Sequence, residues 1–282
     1  MMKNKNKNEF YPAALTIAGS DSGGGAGIQA DLRTFNAFGV FGCTAITAVT
    51  AQNPREVRRI DPVPAEGVRA QIDAVMAAVA VRYAKSGMLA EAAIVENVAD
   101  AVETHRLKLI ADPVMVSTSG AVLLAPDAID AVRRLLLKRA AWITPNLPEA
   151  ELLLDRKLRN ERDYREAALA CHELFGASVL LKTGHAPAGK FAVDYVCCDR
   201  TLYALSSPRL PSVRGVSHGT GCTLSAALTA ALAMGMPWKQ ALCEAKAFVL
   251  GSLRETVPIG PNLSAMYPPV EDHLNAVRLE KL

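Results

Sequence analysis

This sequence predicts a doubly wound α/β fold, a mostly parallel central sheet with helices on both faces and a short antiparallel hairpin at one edge. Three features predict it. Short apolar runs rich in β-formers alternate with helix-length patterns almost from end to end. The stretches just after those runs are polar and glycine-rich, as expected where loops gather beyond the carboxyl ends of parallel strands. One segment, Phe191 to Ser207, breaks the alternation and reads as two strands joined at Asp199-Arg200.

The elements follow in order. "AALTIAG" and "GCTAITAV" are the first strands, with a helix from Gly27 to Phe38 between them. A helix from Pro64 to Ala80 leads to the strand "RYAKSGM", and a helix from Glu91 to His105 leads to "LKLIADPV". The helix from Pro126 to Arg139 precedes "AAWITPN", and that from Glu161 to Phe175 precedes "SVLLKTG". A parallel crossover needs a connection of about this length, so each helix returns the chain to the same end of the sheet. After the hairpin come a helix opening at "GTGC" and another from Trp238 to about Glu255.

Composition limits the alternatives. At 282 residues with 50% hydrophobic content the chain can bury a large core, and a single domain over residues 11–282 is expected. The opening "MMKNKNKNEF", residues 1–10, is basic and polar without an apolar run behind it, so it reads as a disordered tail and not a signal peptide. With 31 basic and 28 acidic residues the net charge is +3, and no basic stripe suited to nucleic acid stands out. The most apolar stretch, near Cys222 to Met236, is shorter than a membrane span and carries Thr223, Ser225 and Thr229. The 6 cysteines lack metal-ligand spacing, which with no export signal points to a reducing, cytoplasmic setting without disulfides.

The loops carry the chemistry. Gly19 to Asp31 fails the dinucleotide fingerprint and lacks a Walker A lysine, but its glycines beside Asp21 and Asp31 suit a small-molecule pocket. "GHAPAGK" (Gly184 to Lys190) has Walker A spacing, yet Phe191 stands where a Ser or Thr would hold magnesium and a strand follows, so it is a decoy. Gly219, Thr220, Gly221 and Cys222 open a helix, where free N–H groups and the helix dipole favour an anion such as a phosphoryl group. The same field is expected to lower the thiol pKa of Cys222 and make it a usable base; the plain alternative is a turn followed by a small buried hydrophobe. Asp112, Asn146 and Glu149 offer oxygen donors of the kind Mg²⁺ takes, though each carboxylate also reads as a cap or a solvated side chain. Lys182 is either a phosphate contact or an exposed strand-end charge. Of the 5 histidines, His185 and His218 border these loops and the others read as structural.

Taken in order, "ALTIAGSDSGGGAGIQADLRTF", "TAVTAQN", "SGML", "DPVM", "ITPNLPEAELLL", "VLLKTGH" and "SHGTGCTLSAAL" resemble the hydroxymethylpyrimidine/phosphomethylpyrimidine kinases of thiamine biosynthesis, of the ribokinase-like superfamily. The resemblance runs from about Ala14 to Glu255. It implies ATP-dependent phosphorylation of 4-amino-5-hydroxymethyl-2-methylpyrimidine and then of its monophosphate, both governed by positioning and charge stabilisation. It implies Cys222 as the catalytic base, where sugar kinases of the superfamily use aspartate. Gly19, Asp31, Gln52 and Met88 would bind the pyrimidine. Asp112, Asn146, Lys182 and Thr183 would serve ATP, with Asp112 and Glu149 holding Mg²⁺ directly or through water. A cytoplasmic homodimer that binds neither nucleic acid nor membrane is expected.

Three positions depart from the family pattern: Gly23 in place of a polar residue, Ser86 in place of isoleucine and Thr183 in place of glycine. They flank the pocket, so a pyridoxal kinase of the same family type is the nearest alternative. A non-catalytic ligand sensor on this fold is the alternative of another class, and the presence of Cys222, Asp112 and Lys182 argues against it.

Overall fold

The computed structural model describes residues 10–115, 124–184, 189–211 and 219–282. The proposed tail up to residue 9, the end of the "DPVMVSTSG" loop, His185 and His218 lie outside the described residues.

The centre is a 10-stranded sheet in the order β12-β9-β8-β7-β6-β5-β4-β1-β2-β3. Its parallel part comprises β1 (Ala13–Asp21), β2 (Phe41–Asn53), β4 (Tyr83–Ser86), β5 (Lys108–Ala111), β6 (Ala140–Ile143) and β7 (Ser178–Leu181). Antiparallel strands flank it, β3 (Glu56–Pro62) on one side and β8 (Phe191–Cys198), β9 (Thr201–Pro208) and β12 (Arg278–Lys281) on the other. The expected hairpin is β8-β9, turned by Asp199 and Arg200, both at positive φ as a tight two-residue turn requires.

Side-chain alternation divides β1 between two cores. Leu15 and Ile17 join the larger cluster with Val68 and Ile72 of α2 (Ala65–Ala78) and Ile94 and Val98 of α3 (Ala92–Thr104). Ala14 faces the other way, against Phe35 of α1 (Gly27–Ala37) and Ala226 and Ala230 of α7 (Thr220–Ala233). Every residue of α7 from Thr223 to Leu232 is buried. Its run of Ala, Ser and Thr keeps the helix slim enough to lie between the sheet, α1 and α8 (Trp238–Arg254), and a helix apolar all round belongs in such a place.

The predicted helices are present, that from Pro126 continuing as α4 (Pro126–Ala131), a π turn and a 3₁₀ turn to Arg139. Four features differ from expectation. β2 runs beyond the expected "GCTAITAV" through "TAQN" to Asn53 and pairs there with β3. The 7 residues of β3 are all exposed and include Glu56, Arg58, Arg59 and Asp61, so an edge strand guarded by charge carries no apolar signal. Helix α5 (Leu147–Leu154) begins at Leu147-Pro148, where proline is tolerated because the first turn has N–H groups to spare. Finally β12, also largely charged and exposed, adds itself outside β9.

Candidate active site

The first loop is organised by a carboxylate. Asp21 ends β1 and accepts hydrogen bonds from the backbone N–H groups of Gly23 (2.8 Å), Gly25 (3.1 Å) and Ala26 (2.9 Å), curling the chain into the start of α1. Gly27 follows at φ +58, and a Cβ there would lie 2.4 Å from the Gly19 carbonyl oxygen. Gly219, ahead of α7, has φ +85, and a Cβ on it would lie 1.9 Å from the Gly25 carbonyl oxygen. The two glycine turns therefore touch backbone to backbone, and neither admits a side chain.

That contact sets Cys222, in the first turn of α7 and half-buried, over the start of α1. The expected lowering of its pKa does not hold. Burial pushes the thiol up, as do Asp31 and Asp112, and this outweighs the downward pull of Lys85 and the Gly27 N–H. A helix terminus acts on a thiol at its mouth; here desolvation is the larger effect.

On one side of Cys222 lies a cluster of opposite charges. Asp112, just past β5, accepts from Lys182 Nζ at 2.7 Å and from Ser225 Oγ at 3.1 Å. A Cβ on Gly221, in the first turn of α7, would stand 3.2 Å from Lys182 Nζ, tight against the end of the lysine. Asn146 and Glu149 form a capping box at α5: Glu149 Oε2 accepts from the Asn146 N–H and Asn146 Oδ1 from the Glu149 N–H, both at 2.9 Å. The other Glu149 oxygen accepts from the Met115 N–H at 3.1 Å. Burial lifts the Glu149 pKa to about 7; Asp112 adds to the lift, while Lys182 and the two N–H bonds oppose it. Two buried carboxylates thus share one lysine, a surplus of negative charge that suits a divalent cation. Lys182 is accordingly no exposed charge: burial works against its ammonium, but Asp112 and Glu149 outweigh that and raise its pKa. Thr183 turns away to β8, donating its N–H to Asp194 Oδ1 at 2.8 Å and its hydroxyl to the Val193 carbonyl.

On the other side lie the residues expected to take the pyrimidine. Met88 crosses over Gly19, where an added Cβ would come within 2.8 Å of the Met88 methyl group. Gln52 is tied to the first loop through Ser22, whose hydroxyl donates to the Gln52 carbonyl and accepts the Gln52 N–H, each at 2.8 Å. The Gln52 side-chain oxygen accepts from Thr50 Oγ1 at 3.2 Å.

Asp31 is deeper than its assignment implies. It is fully buried, and its Oδ2 accepts from both Thr16 Oγ1 (2.6 Å) and Lys85 Nζ (2.9 Å), while Oδ1 meets no partner among the described residues. Burial raises its pKa despite the opposing pull of Lys85 and Thr16. Lys85 itself was not among the sequence candidates. In "RYAKSGM" it reads as a strand-end charge, and nothing local says that α1 and α7 close over it.

Comparisons with known proteins point to one family. The family model for phosphomethylpyrimidine kinase matches residues 21–267. The hydroxymethylpyrimidine/phosphomethylpyrimidine kinase of Rhizobium meliloti is 45% identical over 84% of this chain and 88% of its own, and that of Synechococcus elongatus is 42% identical over 91% and 98%. A thiamine biosynthesis bifunctional protein of Geobacter sulfurreducens is 42% identical over 90% of this chain, which spans 52% of that protein. Among solved structures, the phosphomethylpyrimidine kinase of Clostridium difficile superposes with a TM-score of 0.76 at 36% identity, covering 86% of this chain and 99% of that one. The ADP complex of Bacillus subtilis pyridoxal kinase superposes with a TM-score of 0.83 at 35% identity, covering 92% and 98%. Matched from residue 21 to 267, through both glycine turns, the chain belongs to the phosphomethylpyrimidine kinase family.

Proposed function

We propose that this protein is the ATP-dependent kinase that phosphorylates the hydroxymethyl group of 4-amino-5-hydroxymethyl-2-methylpyrimidine and then converts the monophosphate to the diphosphate. The observation that carries the reading is the division of the site about Cys222: an apolar wall and amide on one side, paired buried charges on the other. Relatives at 42–45% identity bear the name of this activity. The pyrimidine ring lies against Met88 over Gly19, with Gln52 and Asp31 Oδ1 as hydrogen-bond partners. Cys222 takes the hydroxyl proton, and the N–H groups of Thr220, Gly221 and Cys222 receive the charge of the moving phosphoryl group.

Lys182 supplies a fixed positive charge to the ATP phosphates, aided by Asp112 and Asn146. Thr183 acts on ATP through the backbone it anchors to β8. Asp112 and Glu149 would hold Mg²⁺, directly or through water, since each of their oxygens accepts one protein hydrogen bond and keeps a lone pair. When bound, that ion neutralises nucleotide charge.

The reading includes a single domain over residues 11–282, a homodimer and a cytoplasmic location. Among the described residues no helix is long and apolar enough to cross a membrane.

A coupled ADP-release assay comparing hydroxymethylpyrimidine, its monophosphate and pyridoxal tests the function. Turnover of both pyrimidines with kcat/KM well above that for pyridoxal supports it. Pyridoxal is the proper competitor, because a pyridoxal kinase superposes closely; a clear preference for it replaces this reading.

A further inference from the structure

Lys85 is fully buried in the middle of the sheet, beside Thr16 of β1 and Ile110 of β5 in register, on the face that α1 and α7 cover. An apolar side chain would fill this place at no electrostatic cost, and a buried ion pair gains little over such packing. The pair with Asp31 is also incomplete, since Thr16 and Lys85 crowd onto one carboxylate oxygen and leave the other bare among the described residues.

The charges that face Cys222 come from four elements: Lys85 on β4, Asp31 on α1, Asp112 beyond β5 and Lys182 beyond β7. Lys182 lies 2.7 Å from Asp112 and Lys85 2.9 Å from Asp31, so the thiol sits among two neutralised pairs. Of the groups that favour a thiolate there, Lys85 acts most strongly.

We propose that Lys85 is a positioning residue for the first phosphoryl transfer: clamped by Asp31, its ammonium faces Cys222 and lets that sulfur carry negative charge before it takes the hydroxyl proton. The proposal rests on the kinase reading above. In that step Cys222, having first lost its thiol proton to solvent, takes the proton from the hydroxymethyl oxygen as thiolate. The oxygen lone pair forms a bond to the γ-phosphorus, the bond from that phosphorus to the bridging oxygen breaks, and its electrons leave with ADP. The proton ends on sulfur, and Lys85 keeps its own throughout.

The second transfer has a different requirement. Its nucleophile is a phosphate oxygen, and with a second pKa of about 6 the monophosphate is already deprotonated at neutral pH. Cys222 then has no proton to remove, and Lys85 has little to assist.

The test compares the two transfers in one protein. Lys85→Met should lower kcat for hydroxymethylpyrimidine at least about 30-fold, within the range for a disabled base, while the monophosphate reaction changes less than about threefold. Equal falls in both would overturn the proposal, because a merely structural role moves both alike. Since Lys85→Met alone strands a buried carboxylate and Asp31→Asn alone a buried ammonium, iodoacetamide alkylation of Cys222 against pH is compared between wild type and Lys85→Met/Asp31→Asn, in which the whole ion pair is replaced by neutral side chains. The midpoint should lie at least about one pH unit lower in the wild type, where the pull of Lys85 exceeds the push of Asp31; coincident midpoints overturn the proposal. A wild-type protein that phosphorylates neither pyrimidine would defeat the kinase reading, and the alkylation comparison would still decide the case of Lys85.

Discussion

Two buried lysine–aspartate pairs stand on opposite halves of the sheet, and they differ in what their carboxylates have left to give. Asp194 of β8 has a donor on each oxygen and is saturated in that sense: Lys246 Nζ of α8 reaches Oδ2 at 2.5 Å and the Thr183 N–H reaches Oδ1 at 2.8 Å. Asp31 of α1 takes both of its donors on Oδ2 and keeps Oδ1 unpartnered among the described residues. Both pairs are buried to a similar depth, so depth does not separate them. Completeness does. Of the two, only Asp31 keeps an oxygen with no partner among the described residues, which a ligand donor could take without displacing a protein bond.

The largest expected effect lies on the unsaturated side. Cys222→Ala should lower kcat for hydroxymethylpyrimidine by roughly 10²–10⁴-fold, the range for a lost general base, with nucleotide affinity and melting temperature nearly unchanged. A fall of less than about tenfold would mean that proton removal by this thiol does not limit the reaction.

Next comes the saturated pair. Lys246→Met leaves Asp194 buried without its cation and should cost about 3–5 kcal/mol of stability, read by denaturant unfolding. KM for the pyrimidine should stay constant in the folded protein. A stable variant with altered pyrimidine KM would erase the distinction between the two pairs.

A smaller effect is expected at Gln52. Gln52→Ala removes one hydrogen-bond partner of the pyrimidine and should raise its KM about tenfold with little change in KM for ATP. An unchanged pyrimidine KM would leave Asp31 without the neighbour that its free oxygen is expected to work beside.

The smallest effect concerns a carboxylate on the surface. Glu255 accepts hydrogen bonds from the Val270 and Glu271 N–H groups and from His273, and the Val270 bond foremost holds its pKa below the ordinary value. A depressed carboxylate contributes stability above its unfolded pKa and loses it as pH falls through the folded one. Glu255→Gln should therefore melt below wild type at neutral pH, and the gap should close on acidification below about pH 4. A gap that persists in acid would assign the stabilisation to hydrogen-bond geometry instead of charge.

Much of this was legible in the sequence because it was written locally. The strand-and-helix alternation, the Asp199-Arg200 turn and the glycines before Cys222 are signals within a few residues of each other. Asp112 and Lys182 could be located because each follows directly on a strand, and Asn146 and Glu149 because they lie in the short passage from β6 into α5. What was not legible depends on distant parts of the chain. Lys85 looks like any charge at a strand end until α1 and α7 cover it. The thiol of Cys222 sits at a helix start, as read, but burial, with Asp31 adding to it and Lys85 opposing it, reverses the expected shift. β3 and β12 gave no hydrophobic pattern because edge strands bury little and carry charge against unwanted pairing.

The backbone contact between Gly219 and Gly25 has a consequence for how the molecule assembles. It joins the first turn after β1 to the helix that follows the β8-β9 hairpin, so nearly the whole sheet separates its two halves along the chain. Loop closure over such a separation is costly until most native contacts exist. The ordinary core of α2, α3 and the central strands has nearer partners and can condense first. The two glycine turns are then expected among the last parts to form in folding and the first to open when the protein breathes, which would give the proposed site a local stability lower than that of the fold carrying it.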